Sequence, residues 1–207
     1  MTEVYLQEVQ IGLDISTSVV GIVLLDAKTN ELVKMDSIKL NTVKLVDVWD
    51  KAKRIREYFT NNIVNRYKIK DIFVEEAHMA FTPGFSSAGT LFSLARFNGI
   101  VSFMAHELFG PKPTMVNVRS ARKAIGLNID YKDKSRTTKN KVVLFVTTLH
   151  PDFPWIINVA KTGKNKGKSV LAKENEDRCD AYVICKGGIK LGSTPTTKKI
   201  SKKNKRK

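Results

Sequence analysis

Val9-Gln10-Ile11-Gly12-Leu13-Asp14-Ile15-Ser16 is an apolar run with a single acid inside it. Nearly continuous apolarity over this length predicts a central strand covered on both faces. Val19–Asp26 repeats the pattern after a Thr17-Ser18 turn, and residues 32–40 give a third strand after Thr29-Asn30. Connections this short join antiparallel neighbours. A helix is expected over about residues 45–67, where Trp49, Ala52, Ile55, Phe59, Ile63 and Tyr67 recur at three and four residues. Residues 70–75 read as a short buried strand. Residues 87–108 read as a long helix with Leu91, Leu94, Ala95, Val101 and Met104 as its buried stripe, and 114–118 as a fifth strand. Residues 120–125, 138–149 and 172–187 read as further helices. Three adjacent strands followed by alternating helices and strands give an α/β domain around a mixed central sheet of about five strands, the first three antiparallel.

At 207 residues the chain is long enough for one domain with a sizeable core. Its net charge of +16 is unevenly placed. Residues 190–207 hold eight Lys or Arg and no acid, leaving 28 basic against 20 acidic residues elsewhere, a net of +8. Residues 161–173 add five lysines, again with no acid. Such segments favour a polyanion through phosphate contacts and counterion release, although a basic tail can also serve solubility alone. The folded domain is expected over residues 1–190. Residues 191–207 lack apolar periodicity and are expected to form a disordered basic tail. Cys179 and Cys185 match neither a disulfide framework nor a zinc pattern and read as reduced core residues. No apolar run approaches the roughly 20 residues of a membrane span, and no signal peptide opens the chain, so an intracellular, soluble protein is expected.

Against this basic background, four acids stand out. Asp14 interrupts the first strand, and an unpaired acid facing a core would cost several kcal/mol. Gly12 before it and Ser16-Thr17-Ser18 after it suggest close approach of a ligand to the backbone at the strand end. The plainer reading is an aspartate that caps its own turn. Glu75 ends the fourth strand and, because strand side chains alternate, keeps the phase of Phe73, so it points inward while Glu76 points out. Its plainer reading is an exposed strand end. Asp177 and Asp180 lie three apart on the last helix and share a face. Like charges so placed favour a metal or a strong base between them, the alternative being a solvated acidic face. Carboxylates from three separate segments match the hard-oxygen ligation of two Mg²⁺ ions, with Mn²⁺ as a substitute. Two such ions stabilise both the attacking and the leaving oxygen in phosphodiester hydrolysis.

The set Ile11-Gly12-Leu13-Asp14-Ile15-Ser16, Val74-Glu75-Glu76, and Asp177-x-x-Asp180 followed by Ala181-Tyr182-Val183-Ile184 resembles RuvC-type Holliday junction resolvases of the RNase H-like superfamily. Phe92-Ser93-Leu94-Ala95-Arg96-Phe97-Asn98-Gly99 is similar to the family's intervening segment, and the resemblance spans roughly residues 9–189. It implies an RNase H-like fold, with Asp14, Glu75, Asp177 and Asp180 as catalytic metal ligands for two Mg²⁺ ions. It also implies a homodimer that makes paired cuts in a four-way DNA junction, joined through the helix of residues 87–108. The chain departs from the compact bacterial form in its first turn, in the 161–173 insertion and in its long basic tail. Arg119, Arg122, Lys123, Lys132, Lys134, Arg136, Lys139 and Lys141 form a basic region resembling the family's DNA-facing part, and Lys164, Lys166 and Lys168 are further candidate nucleic-acid contacts. A lysine of this region, Lys134 first, is a candidate for stabilising transition-state charge. Phe81, Phe85 and Phe92 are either core residues or a wedge into the unstacked junction centre. Other readings are an RNase H-like nuclease acting on RNA–DNA hybrid or structured RNA, a non-catalytic nucleic-acid-binding protein of the same fold, and an actin-like ATP-binding domain. The last needs a second such domain, for which the chain is too short.

Overall fold

A computed structural model of the chain describes residues 5–42, 45, 47–76, 88–130, 132–133, 135–163 and 166–192. The central sheet has five strands, β1 (Gln7–Ile15), β2 (Val19–Asp26), β3 (Leu32–Lys39), β4 (Tyr67–Glu75) and β5 (Pro113–Val116), in the order β3-β2-β1-β4-β5. β1, β2 and β3 pair antiparallel, whereas β1–β4 and β4–β5 are parallel, so the sheet is mixed as the apolar runs predict. The first connection is closed by Ser16, whose hydroxyl donates to the Val19 carbonyl and accepts from the Val19 amide. In the second, Asp26 accepts from the Lys28 and Thr29 amides and Asn30 adopts a left-handed φ of 58°.

Helices cover both faces. On one, α1 (Val48–Asn62) and α2 (Ala88–Phe109) pack over Ile11, Leu13, Ile22, Leu24 and Val74. On the other, α3 (Val118–Ala124), α4 (Thr138–Leu149) and α5 (Glu174–Gly192) pack over Val23, Leu25 and Phe73. The strict alternation of these two sets along β2 is the period-2 signature of a strand buried on both sides. α1 is shorter at both ends than the sequence suggests. Asp47 caps it by accepting from the Trp49 and Asp50 amides. At its other end the left-handed Asn65 turns the chain into β4, so Tyr67 meets the core from a strand. Trp49, expected to be buried, is 61% exposed and lies 5.7 Å from the Arg96 guanidinium, a cation–π contact across to α2. In α2 the buried residues are Phe97, Asn98, Val101, Met104 and Ala105, while Leu91, Leu94 and Ala95 are only half-buried.

α5 lies unusually close to the sheet. A Cβ on Gly12 would stand 2.4 Å from the Cys185 Cβ, and one on Gly21 would stand 2.0 Å from the Asp177 carbonyl oxygen. Gly12 therefore admits the helix, and the sequence expectation that it makes room for a ligand is corrected. Cys179 and Cys185 are buried and unoxidised, as expected. α5 also takes in Leu191 and Gly192, which the sequence placed in the tail, and the rest of that tail lies outside the described residues. The 161–173 insertion carries β7 (Ser169–Leu171), which pairs with β6 (Ile157–Val159) just before it in a two-stranded ribbon that the sequence did not reveal. Among the described residues no helix is long and apolar enough to cross a membrane.

Candidate functional site

Leu13 of β1 pairs with Val74 of β4 in parallel register. One residue further on, Asp14 and Glu75 stand side by side at the carboxyl ends of the two strands. Asp14 keeps the phase of Gly12, and Glu75 that of Phe73, so both turn to the face that α5 covers. Both are half-buried, while Glu76 is exposed as expected. Ser16 supplies the turn hydrogen bonds, and the turn-capping reading of Asp14 falls away. Burial pushes the Asp14 carboxyl well above the usual carboxylate range, and the charges of Glu75, Asp180 and Asp177 push it further.

α5 brings the other pair. Gly21, the cross-strand partner of Asp14, lets the helix backbone at Asp177 come down onto the sheet. Asp180 is 7% exposed, and burial raises its carboxyl to about 6 despite opposing attraction from Arg122 and Lys139. Burial likewise raises Asp177, with Lys139 working in the other direction. The base that the Asp177/Asp180 spacing calls for is present twice. Arg122 Nη2 lies 3.4 Å from Asp180 Oδ1, with both side chains nearly buried, and Arg122 Nε has no hydrogen-bond partner. Lys139 Nζ lies 3.5 Å from Glu176 and 3.9 Å from Asp177. Burial works against the Lys139 charge, but Asp177, Asp180, Glu176 and Asp14 together hold the ammonium protonated.

The four acids thus fall within electrostatic reach of one another. Among the described residues, however, no three Asp, Glu, His or Cys side chains are drawn close enough to cage an ion by themselves. The chemistry of the four groups is that of donors to a hard divalent cation: all are carboxylates, and their mutual repulsion is offset only in part by two internal bases. Arg122 and Lys139 were legible as basic residues but not as partners of the acids, because the contacts join α3 and α4 to α5 across 58 and 38 residues of chain. Arg122 is turned inward to Asp180 and away from solvent, in contrast to the expected phosphate contact. Lys123 and Arg136 are exposed, as is Arg119, and Lys166 and Lys168 lie exposed on the β6–β7 ribbon. Lys141 is a structural staple that donates to the Asp130 and Asp133 carbonyls and pairs with Asp133 at 2.7 Å. Phe92 is 75% exposed and is no core residue. Phe81, Phe85, Lys134 and Lys164 lie outside the described residues.

No protein-family model and no curated protein sequence matches the chain. Solved structures do. Thermus thermophilus RuvC in complex with a Holliday junction substrate superimposes with a TM-score of 0.58 at 14% identity, covering 89% of this chain and 94% of that one. A second T. thermophilus RuvC structure gives 0.54 at 14% identity over 89% and 96% of the two chains. The yeast mitochondrial Holliday junction resolvase Ydc2 gives 0.54 at 11% identity over 91% and 80%. Identities this low speak to architecture, and over nine-tenths of its length the chain has the RNase H-like fold of the RuvC-type resolvases.

Proposed function

We propose that this protein is a divalent-metal-dependent endonuclease that resolves four-way or otherwise branched DNA by paired, symmetric phosphodiester cleavage. The observation that carries the reading is the placement of four acids from three distant segments. Asp14 and Glu75 sit on adjacent parallel strands, facing Asp177 and Asp180 on the helix that crosses them. The T. thermophilus RuvC of the same fold is seen with a Holliday junction substrate, which supports junction DNA as the ligand class here. Asp14, Glu75, Asp177 and Asp180 would hold two Mg²⁺ ions, with Mn²⁺ able to replace them. Such ions, when bound, polarise the scissile phosphate and lower the pKa of the attacking water.

The chain's own residues do the rest. Arg122 and Lys139 neutralise and orient Asp180 and Asp177 while the acids stand without a cation. Lys139, half exposed beside the acids, also has the reach to meet a phosphate oxygen, a role the sequence offered first to Lys134. Arg119, Lys123 and Arg136 supply backbone contacts that position DNA without reading its sequence. Paired cuts need two copies, and the outward face of α2 is suited to join them. Phe92 and Phe103 lie three helical turns apart on one side, 75% and 61% exposed, with the open Gly99 between them. The test is cleavage of four-way-junction, linear-duplex and RNA–DNA hybrid substrates in Mg²⁺, with Ca²⁺ as a binding-only control. Preferential symmetric incision of the junction is expected. Cutting of the hybrid alone overturns the junction reading, and junction binding without cutting in any metal overturns the nuclease reading.

A further inference from the structure

The β6–β7 ribbon serves no purpose in the core. Ile157, Val159 and Leu171 are 53%, 62% and 40% exposed, and Asn158 and Ser169 are exposed as well. A two-stranded ribbon with so little buried surface is marginal by itself. This one is nevertheless well built. Its ladder continues past the strand ends through Ala160 N–H to Lys168 O at 3.0 Å and Gly167 N–H to Ala160 O at 2.8 Å. Gly163 and Gly167 take the left-handed φ values that close the tip, 76° and 82°. The base is pinned to α5. Fully buried Asn175 donates to the Ile156 carbonyl at 2.8 Å and accepts from the Ile156 amide at 3.3 Å, two residues before Asp177.

The ribbon's charge is of one sign. No acid occurs between Asp152 and Glu174. Lys161, Lys166 and Lys168 are exposed, and none pairs with an acid among the described residues. On the flank toward α4, Leu171, Ala172 and Glu176 share an open groove of about 320 Å³ with Arg136, Asn140 and Leu144. Exposed Arg136 thus borders the same groove as β7, and Lys139, three residues further along, reaches Glu176 and Asp177. We infer that the β6–β7 ribbon is a nucleic-acid arm that grips the phosphodiester backbone of a duplex, and that Asn175 fixes the arm at a set offset from Asp177 and Asp180. This rests on the nuclease reading of that site and adds a second contact to it, outside the reacting centre. The lysines carry no base-reading geometry, so the grip is independent of sequence and strongly salt-dependent.

The measurement is binding of labelled four-way junction, DNA duplex and RNA–DNA hybrid in EDTA, titrated over salt, by the full chain and by a K161A/K166A/K168A variant. All three positions are exposed, so thermal melting should be unchanged. The expected result is a slope of log affinity against log salt that is shallower by about 0.9 for each lysine in contact, up to about 3. Duplex affinity near 0.1 M salt should fall about tenfold or more. A restricted loss, to DNA duplex or to hybrid, identifies which backbone the arm holds. Wild-type affinity and slope for the variant on all three substrates overturn the arm. A wild type that binds in EDTA with the full slope yet cuts nothing in Mg²⁺ overturns the nuclease reading and leaves the arm in place.

Discussion

Asp180 is nearly buried, carries an elevated pKa and touches Arg122, so its charge is expressed in the folded protein only against resistance. The sign of the resulting pH dependence is fixed. The carboxyl titrates near 3.8 when unfolded and about 6 when folded. This group therefore favours the metal-free fold most below about pH 4, and that contribution is lost as pH rises through about 6. A cation needs the ionised form, so stabilisation by Mg²⁺ or Ca²⁺ should be small at pH 5 and grow through pH 6 toward a plateau near pH 8. Thermal melting with and without metal checks this, and a pH-independent shift contradicts ligation by Asp180. Asp180→Asn should retain junction binding in Ca²⁺ while the cleavage rate falls more than about 100-fold, beyond the effect usual for residues that merely support a metal ligand. Single-turnover cleavage reads this out, and near-normal turnover removes Asp180 from the site. The inward phase of Glu75 and the shared face of Asp177 and Asp180 were legible from periods of two and 3.6. The partnership of Arg122 with Asp180 was not, since nothing local in Ser120-Ala121-Arg122-Lys123 marks one base as buried.

At the scale of elements, α5 against β1 and β2 is the contact on which the site depends. The helix carries two acids, and its distance from the sheet sets how far they stand from Asp14 and Glu75. Gly21→Ala places a methyl 2.0 Å from the Asp177 carbonyl oxygen, which is backbone and can yield only if the whole helix shifts. The substitution should cost about 1–3 kcal/mol or more in urea unfolding and should depress cleavage as Asp177 is displaced. A Gly21→Ala protein of unchanged stability would mean that the helix rides higher on the sheet. Element types were largely legible: among the described residues, the sheet strands β1–β5 and the helices α1–α5 overlap the stretches the sequence assigned to them. The ends shifted where capping and turn residues intervene, as with Asp47 and Asn65 around α1. The β6–β7 ribbon was missed because its strands are three residues long, exposed and separated by a lysine-rich turn, so no apolar alternation announces them.

For the whole molecule, the remaining question is what covers α2. Its inner face packs Phe97, Val101 and Met104 into the core, and its outer face leaves Phe92 and Phe103 open on either side of Gly99. Two large aromatics flanking a residue without a side chain suit close approach of a second helix related by a two-fold axis. Sedimentation equilibrium should therefore find a dimer, and Phe103→Asp should convert it to a monomer with an unchanged circular-dichroism spectrum. A wild type that stays monomeric at tens of micromolar, about 50 µM, sets the paired-incision reading aside.

By itself the amino-acid order determined the layered α/β architecture and the mixed sheet, and it singled out four acids as candidates. Those features follow from local periodicity and from the expense of placing a carboxylate in an apolar strand. Only the tertiary structure decided which charges meet. The close seating of α5 on Gly12 and Gly21, the turning of Arg122 and Lys139 toward the acids, and the pinning of a basic ribbon to α5 through Asn175 are contacts between separate elements. Their energies depend on distance and burial in space, which spacing along the chain does not encode.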